Sequence, residues 1–167
     1  MLERPTRARS SVPARKTRTA APPAEANPID TRYLRTLMGY NARRVALVAI
    51  EQFVQDMAVY PFKPVDFSVM CVIVDNPGVT SRQLCAALNI LPPNLVGLIQ
   101  SLEQRGLIER RPHPQDGRAT GLHATAQGAQ RMMEARRTAD AVEDRLASRL
   151  SPRDRQKLLE LLQAVYD

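Results

Sequence analysis

At 167 residues, with 24 Lys/Arg against 17 Asp/Glu and a net charge of +7, the chain is long enough for one domain with a real core and basic enough to favour an anionic partner. The lack of Trp and an aromatic content of 4% argue against base stacking on single-stranded nucleic acid as the mechanism. No apolar run approaches the ~20 residues that span a bilayer, and two cysteines, Cys71 and Cys85, do not make a disulfide framework, so a reducing cytoplasm is the expected compartment.

Residues 1–28 carry six Lys/Arg against two Glu, five prolines and almost no large apolar side chains. Such a segment cannot bury enough surface to offset chain entropy, and it reads as a disordered basic arm of net +4. It has no hydrophobic signal region, and its prolines interrupt any amphipathic transit helix. Order is expected to begin at Ile29-Asp30, with Asp30 as N-cap and Ile29 and Leu34 as a hydrophobic staple. Leu34, Met38, Ala42, Val45, Ala49, Phe53 and Met57 then recur at helical spacing and predict one long helix over roughly 30–58.

"YPFKP" stops that helix and Pro64 opens the next, whose stripe is Phe67, Met70, Cys71 and Val74. Val69, Val72 and Ile73 make its other faces apolar too, which predicts a central position. "NPG" at 76–78 ends it. In "VTSRQLCAALNI", Thr80 and Gln83 fit a capping box. Pro92 then suits a first helical turn, Leu95, Leu98, Ile99 and Leu102 follow at i, i+3, i+4 and i+7, and Gly106 suits a helix stop. Two short helices joined by a tight turn read as a helix-turn-helix. "LIERRP" and "RATGLHA" about an expected Asp116-Gly117 turn read as a hairpin, so the unit is a winged helix-turn-helix. From Thr125 a long helix carries Met132, Ala135, Ala139, Val142, Leu146 and Leu150. "SPRD" at 151–154 then caps a last amphipathic helix with Leu158, Leu161, Leu162 and Val165. The fold class is therefore mainly α. Residues 63–124 form a winged DNA-binding region, and 29–62 with 125–167 form a helical module whose apolar stripes a symmetric dimer would cover.

The stretches "NPGVTSRQLCAALNI", "LVGLIQSLEQRGLIER" and "PQDGRATGLHATAQG" resemble the MarR family of bacterial transcriptional regulators, most specifically in the "LE-x-R-GLI-x-R" segment and the D-x-R that follows it. The likeness covers about residues 30–167. It implies a homodimer in which terminal helices of both chains pair and each chain offers one winged lobe to double-stranded DNA. It also implies that Asp116 positions the wing and that Arg118 enters the minor groove. Two departures stand out. Gly117 replaces an Arg common in the family, so the tip has one fewer charge, and Ala124-Thr125 stands where Leu-Thr is common.

The exposed side of the recognition helix is expected to be Pro93, Asn94, Gly97 and Gln100, with Ser101 at its edge. Asn and Gln suit base edges, and Gly97 permits close backbone approach. Arg82, Lys63 and the wing residues Arg110 and Arg111 would meet phosphates, which carry affinity rather than sequence information. Arg43 and Arg44 sit mid-helix. They are either ordinary exposed charges or, as the resemblance implies for a cleft at this point, partners for an anionic effector such as an aromatic carboxylate or its thioester. Tyr40, Tyr60, Phe62 and Phe67 are candidates for its aromatic wall, each with a core role as the alternative. Cys71 and Cys85 read as buried thiols. His113 and His123 lack companions at metal-ligand spacing, so neither metal nor cofactor is expected. No catalytic signature is present. The function expected is a sequence-specific, ligand-released repressor. A protein-docking winged helix and an architectural DNA binder without an effector remain as alternatives.

Overall fold

The computed structural model describes residues 29–113 and 116–166; the expected basic arm, residues 1–28, lies outside them. In chain order the elements are α1 (Arg32–Thr36), α2 (Met38–Asp56), a 3₁₀ turn (Met57–Val59), α3 (Pro64–Asp75), α4 (Ser81–Leu88), α5 (Pro92–Gln104), β1 (Ile108–His113), β2 (Asp116–Ala124), α6 (Ala126–Leu146) and α7 (Pro152–Tyr166). The class is mainly helical with one antiparallel hairpin.

α3 is the hub. It has no polar face, and it packs against α2, α4, α6 and β2. Val69, Met70 and Ile73 are fully buried. Around them gather Leu84 of α4, Leu95, Ile99 and Leu102 of α5, Leu107 and Ile108 at the hairpin root, Leu122 of β2, and Met132 and Ala135 of α6. Burying a side chain of this size contributes about 1.5–3 kcal/mol, so this set is the main source of the fold's stability. The first half of α6 thus belongs to the same core as the winged unit. Gly128 is what lets α6 cross that root. A Cβ there would sit 2.0 Å from the Leu107 carbonyl oxygen, and Thr125 caps the helix by accepting from the Gly128 N–H at 3.0 Å.

Three expectations need correction. The single first helix is two, because Leu37 is extended at φ −89, ψ 125. Asn41 satisfies the exposed end of α1 by donating its Nδ2 to the carbonyls of Arg35 and Leu37. The apolar phase continues across the break, so periodicity alone does not register it. The staple is not formed: Ile29 is 90% exposed, Thr31 occupies the N-cap position, and Asp30 instead accepts from the Arg32 N–H and guanidinium. That ion pair holds the Asp30 carboxyl below its usual range, mainly through the Arg32 side-chain hydrogen bond. Finally, Asp116 and Gly117 are not the turn. Both lie in β2. The pairing runs regularly from Ile108 opposite Ala124 to Pro112 opposite Thr120, then shifts before His113 opposite Asp116. Pro112 offers no N–H to the ladder, which suits a strand end where register is lost.

The terminal helices differ from the rest. α1, α2 and α7 contain no buried residue. Val45, Ile50 and Val54 on α2, and Leu158, Leu161, Leu162 and Val165 on α7, are all exposed.

Candidate nucleic-acid interface and a neighbouring cavity

α4 and α5 are fixed by local chemistry that the sequence announces. Thr80 Oγ1 accepts from the Gln83 N–H, and Gln83 Oε1 accepts from the Thr80 N–H at 2.9 Å, closing the capping box. Asn89 ends α4 in the left-handed region at φ 49, a conformation Asn tolerates better than most residues. The chain then turns through 115° into α5, which Pro92 begins. Gly106, at φ +67, follows the C-terminus of α5. α5 is anchored by Leu95, Ile99 and Leu102, which leaves Pro93, Asn94, Val96, Gly97 and Gln100 exposed. A Cβ at Gly97 would meet nothing within 4 Å, so no internal contact demands glycine there.

Of the basic residues expected beside this face, Arg82 and Lys63 are exposed. Arg110 and Arg111 are each engaged within the chain. The Arg110 guanidinium donates to both carboxylate oxygens of Glu103, at 2.8 and 3.0 Å, and Arg111 pairs with Glu109. The Glu103 hydrogen bond also pushes the Arg110 pKa up. Arg110 therefore clamps the wing root onto α5, and its charge is partly neutralised before any phosphate arrives. Asp116 and Arg118 belong to β2. A second clamp joins α3 to the end of α5: the buried Asp66 carboxylate accepts from the Arg105 guanidinium at 3.1 Å and from the Lys63 N–H.

The six expected effector residues are not brought together. Phe62 is buried in the core, 7% exposed, and forms no open wall. Tyr60 shares a 2.9 Å hydrogen bond with Thr138 and ties the end of the 3₁₀ turn to α6. Arg43 and Arg44 are exposed and Tyr40 is half-buried. Arg44 borders an apolar groove of about 570 Å³ between α2, α6 and α7, with Val48, Leu158 and Leu162. Phe67 alone reaches a second cavity, of about 560 Å³, between α2, α3 and α6. The separation has a simple cause. Tyr40, Arg43 and Arg44 lie in the N-terminal half of α2, whereas Phe67 is on α3 and the cavity it reaches meets α2 only at Ala49, Ile50 and Phe53.

Apart from Phe67, that second cavity is lined by side chains the sequence marked only as core or left unmarked. Phe53 packs edge-to-face on Phe67 with ring centroids 5.3 Å apart, and Cys71 lies beside them. Its polar rim is Asp75, Arg136, Asp140 and Glu143. Arg136 bridges Asp75 at 2.7 Å and reaches the Cys71 carbonyl. Burial pushes the Cys71 thiol up, with Arg136 acting in the opposite sense. One signal was present in the chain: Arg136, Asp140 and Glu143 recur at i, i+4 and i+7 beside the apolar stripe of α6. Three carboxylates against one guanidinium, itself already paired, make a rim that disfavours an anion inside. Its aromatic wall suits a neutral ring.

Comparison with known proteins decides the family. The MarR family profile matches residues 60–119. A transcriptional repressor, CouR, solved on a 23-mer DNA duplex, is 31% identical and superposes with a TM-score of 0.79 over 84% of this chain and all of its own. The chain belongs to the MarR family. It is a transcriptional regulator by that membership, as are its relatives. The protein assigned as regulator of the hcr operon in Thauera aromatica is 28% identical over 130 residues, 77% of this chain and 78% of its own. CouR bound to p-coumaroyl-CoA is 30% identical with a TM-score of 0.75, over 83% of this chain and 97% of its own. Among the described residues, no helix alone is long and apolar enough to cross a membrane, and no cluster of three His, Cys, Asp or Glu is placed to hold a metal.

Proposed function

We propose that this MarR-family chain is a homodimeric repressor acting at chromosomal DNA in the cytoplasm. In this reading each α5 lies in a major groove, Arg118 reaches the adjoining minor groove, and an aromatic acyl thioester releases the dimer from its operator. The observation that carries the reading is the likeness, over 84% of this chain, to a repressor solved on duplex DNA and again with p-coumaroyl-CoA. The exposed polar side of α5 and the ring-lined cavity beside α3 support it. The two lobes of a dimer would meet half-sites about 34 Å apart.

The cavity chemistry favours a thioester over the free acid. A neutral aryl group fits against Phe53 and Phe67, whereas a free carboxylate would face Asp75, Asp140 and Glu143 with only Arg136 to offset them. The charged carrier of a thioester remains outside the rim. α3 is the natural transmitter, because it lines the cavity through Phe67 and Cys71 and grips α5 through the Asp66–Arg105 pair. Release requires the ligand to prefer the state that does not fit DNA, and about 1.4 kcal/mol of such preference gives a tenfold loss of operator affinity.

The test is fluorescence anisotropy on a duplex that the protein itself selects from a random library, titrated with p-coumaroyl-CoA, p-coumarate and CoA. Only the thioester should release DNA at low micromolar concentration. In the Asp140→Asn/Glu143→Gln variant the free acid should gain potency. Equal release by p-coumarate and its thioester in the unaltered protein would refute the cavity assignment.

A further inference from the structure

The exposed side of α5 is not uniformly polar. Val96 is 52% exposed there, one helical turn from Gln100 and on the same face. Behind it lies a shallow apolar pocket of about 260 Å³ formed by Ser81, Arg82 and Cys85 of α4 and Pro92, Leu95 and Val96 of α5. Leu95 is its buried floor, and Arg82 is exposed at its edge. The lining holds no carboxylate, so a positive charge stands beside an apolar hollow with nothing to repel a phosphate. Through Val96 the hollow borders the exposed side of α5 at Gly97 and Gln100, part of the strip that faces DNA in the proposed function. A duplex offers one apolar group in its major groove, the C5-methyl of thymine, and it offers it within reach of backbone phosphates. That combination matches a valine at the lip of an apolar hollow with an arginine beside it.

We infer that Val96 and the hollow behind it read the 5-methyl group of one thymine in each half-site, with Arg82 on a neighbouring phosphate. Val96 is a specificity-determining residue, and the operator carries a thymine at a fixed position that hydrogen-bond readout by Asn94 and Gln100 does not explain. This rests on the DNA-reading role of α5.

The test uses the full chain to select its tightest duplex from a random-sequence library. Each thymine is then replaced singly by deoxyuridine, which deletes only the methyl group, and affinity is read by anisotropy. One thymine per half-site should lose about fourfold in affinity, the equivalent of one buried methyl, while the others stay unchanged. In Val96→Ala the thymine-to-uracil ratio at that position should fall below about twofold, with binding to the deoxyuridine duplex close to that of the unaltered protein and with thermal stability unchanged. A valine that merely supported the helix would not couple to a methyl on the DNA. If every deoxyuridine substitution is silent, or Val96→Ala keeps the fourfold preference, the assignment is overturned and DNA binding stands. If no duplex is enriched at all, the DNA-reading role of α5 falls and the inference falls with it.

Discussion

The winged lobe and the terminal helices are built on opposite terms. In the lobe, α3, α4, α5, the hairpin and the first half of α6 enclose a core of fully buried side chains, and each helix boundary is fixed by a local device such as the Thr80–Gln83 box. In α1, α2 and α7 the apolar periodicity is as clear, yet no residue is buried within the single chain. A helix stripe is thus a statement about what must be covered, and it does not say by which chain. The lobe covers its own. In the proposed dimer a second copy, pairing stripe on stripe, would cover the terminal helices.

The largest effect should come from breaking the terminal surface. Leu158→Asp with Leu162→Asp alters two residues that are exposed in the single chain, so a monomer would tolerate both. In a dimer the pair would place four charges in a buried seam. We expect sedimentation at micromolar concentration to fall from about twice the 18.6 kDa chain mass to a single chain, with operator affinity reduced more than about a hundredfold as the second half-site contact is lost. An unaltered protein that sediments as a monomer would remove the contrast between the two regions.

Next in size is a cut inside the lobe. Ile99→Ala removes a side chain that is 1% exposed, and should cost about 2–4 kcal/mol in denaturant unfolding. The two lesions are told apart by concentration. The stability lost through the terminal helices should recover as protein concentration rises, whereas the Ile99 loss should not.

Gly97→Ala sharpens the comparison on the outer surface of the lobe. With open space at the Cβ position, alanine should stabilise α5 by about 0.5–1 kcal/mol. If the backbone approaches DNA at this point, the same change weakens operator binding. Stability rising while affinity falls marks a residue kept for an external contact, and unchanged affinity would place Gly97 away from the groove.

The smallest effect concerns the cavity between the two regions. Because burial raises the Cys71 thiol pKa, less thiolate is present near pH 7 than in a free cysteine. Alkylation by iodoacetamide, followed by peptide mass spectrometry, should be several-fold slower at Cys71 than in a model thiol and should accelerate as pH rises. p-Coumaroyl-CoA should slow it further, and no protection would place the thioester elsewhere.

Much of this molecule is written in short-range chemistry. The box at Thr80 and Gln83, Pro92 at the start of α5, Gly106 after its end, Thr125 and Ser151 as caps, and the all-round apolar α3 each depend on residues a few positions apart, so the sequence alone determined the helix order from α3 onward, the hairpin and the winged class, but not the break at Leu37 that divides α1 from α2. It also marked Pro93, Asn94, Gly97 and Gln100 as a free face, because the buried stripe of α5 defines its complement. What depends on distant residues meeting was decided only by tertiary packing. Asp66 and Arg105 are 39 positions apart, Arg136 and Asp75 are 61 apart, and nothing local in either stretch announces its partner. Arg110 reads as a free cation until β1 folds back beside Glu103. The cavity takes its walls from three helices, and the expected Arg43–Arg44 and aromatic cluster is not brought together because its members are spread over α2, the segment after the 3₁₀ turn and α3, where Phe62 is drawn into the core and Tyr60 is tied to Thr138. Periodicity gives direction around a helix, and only packing gives the neighbour it faces.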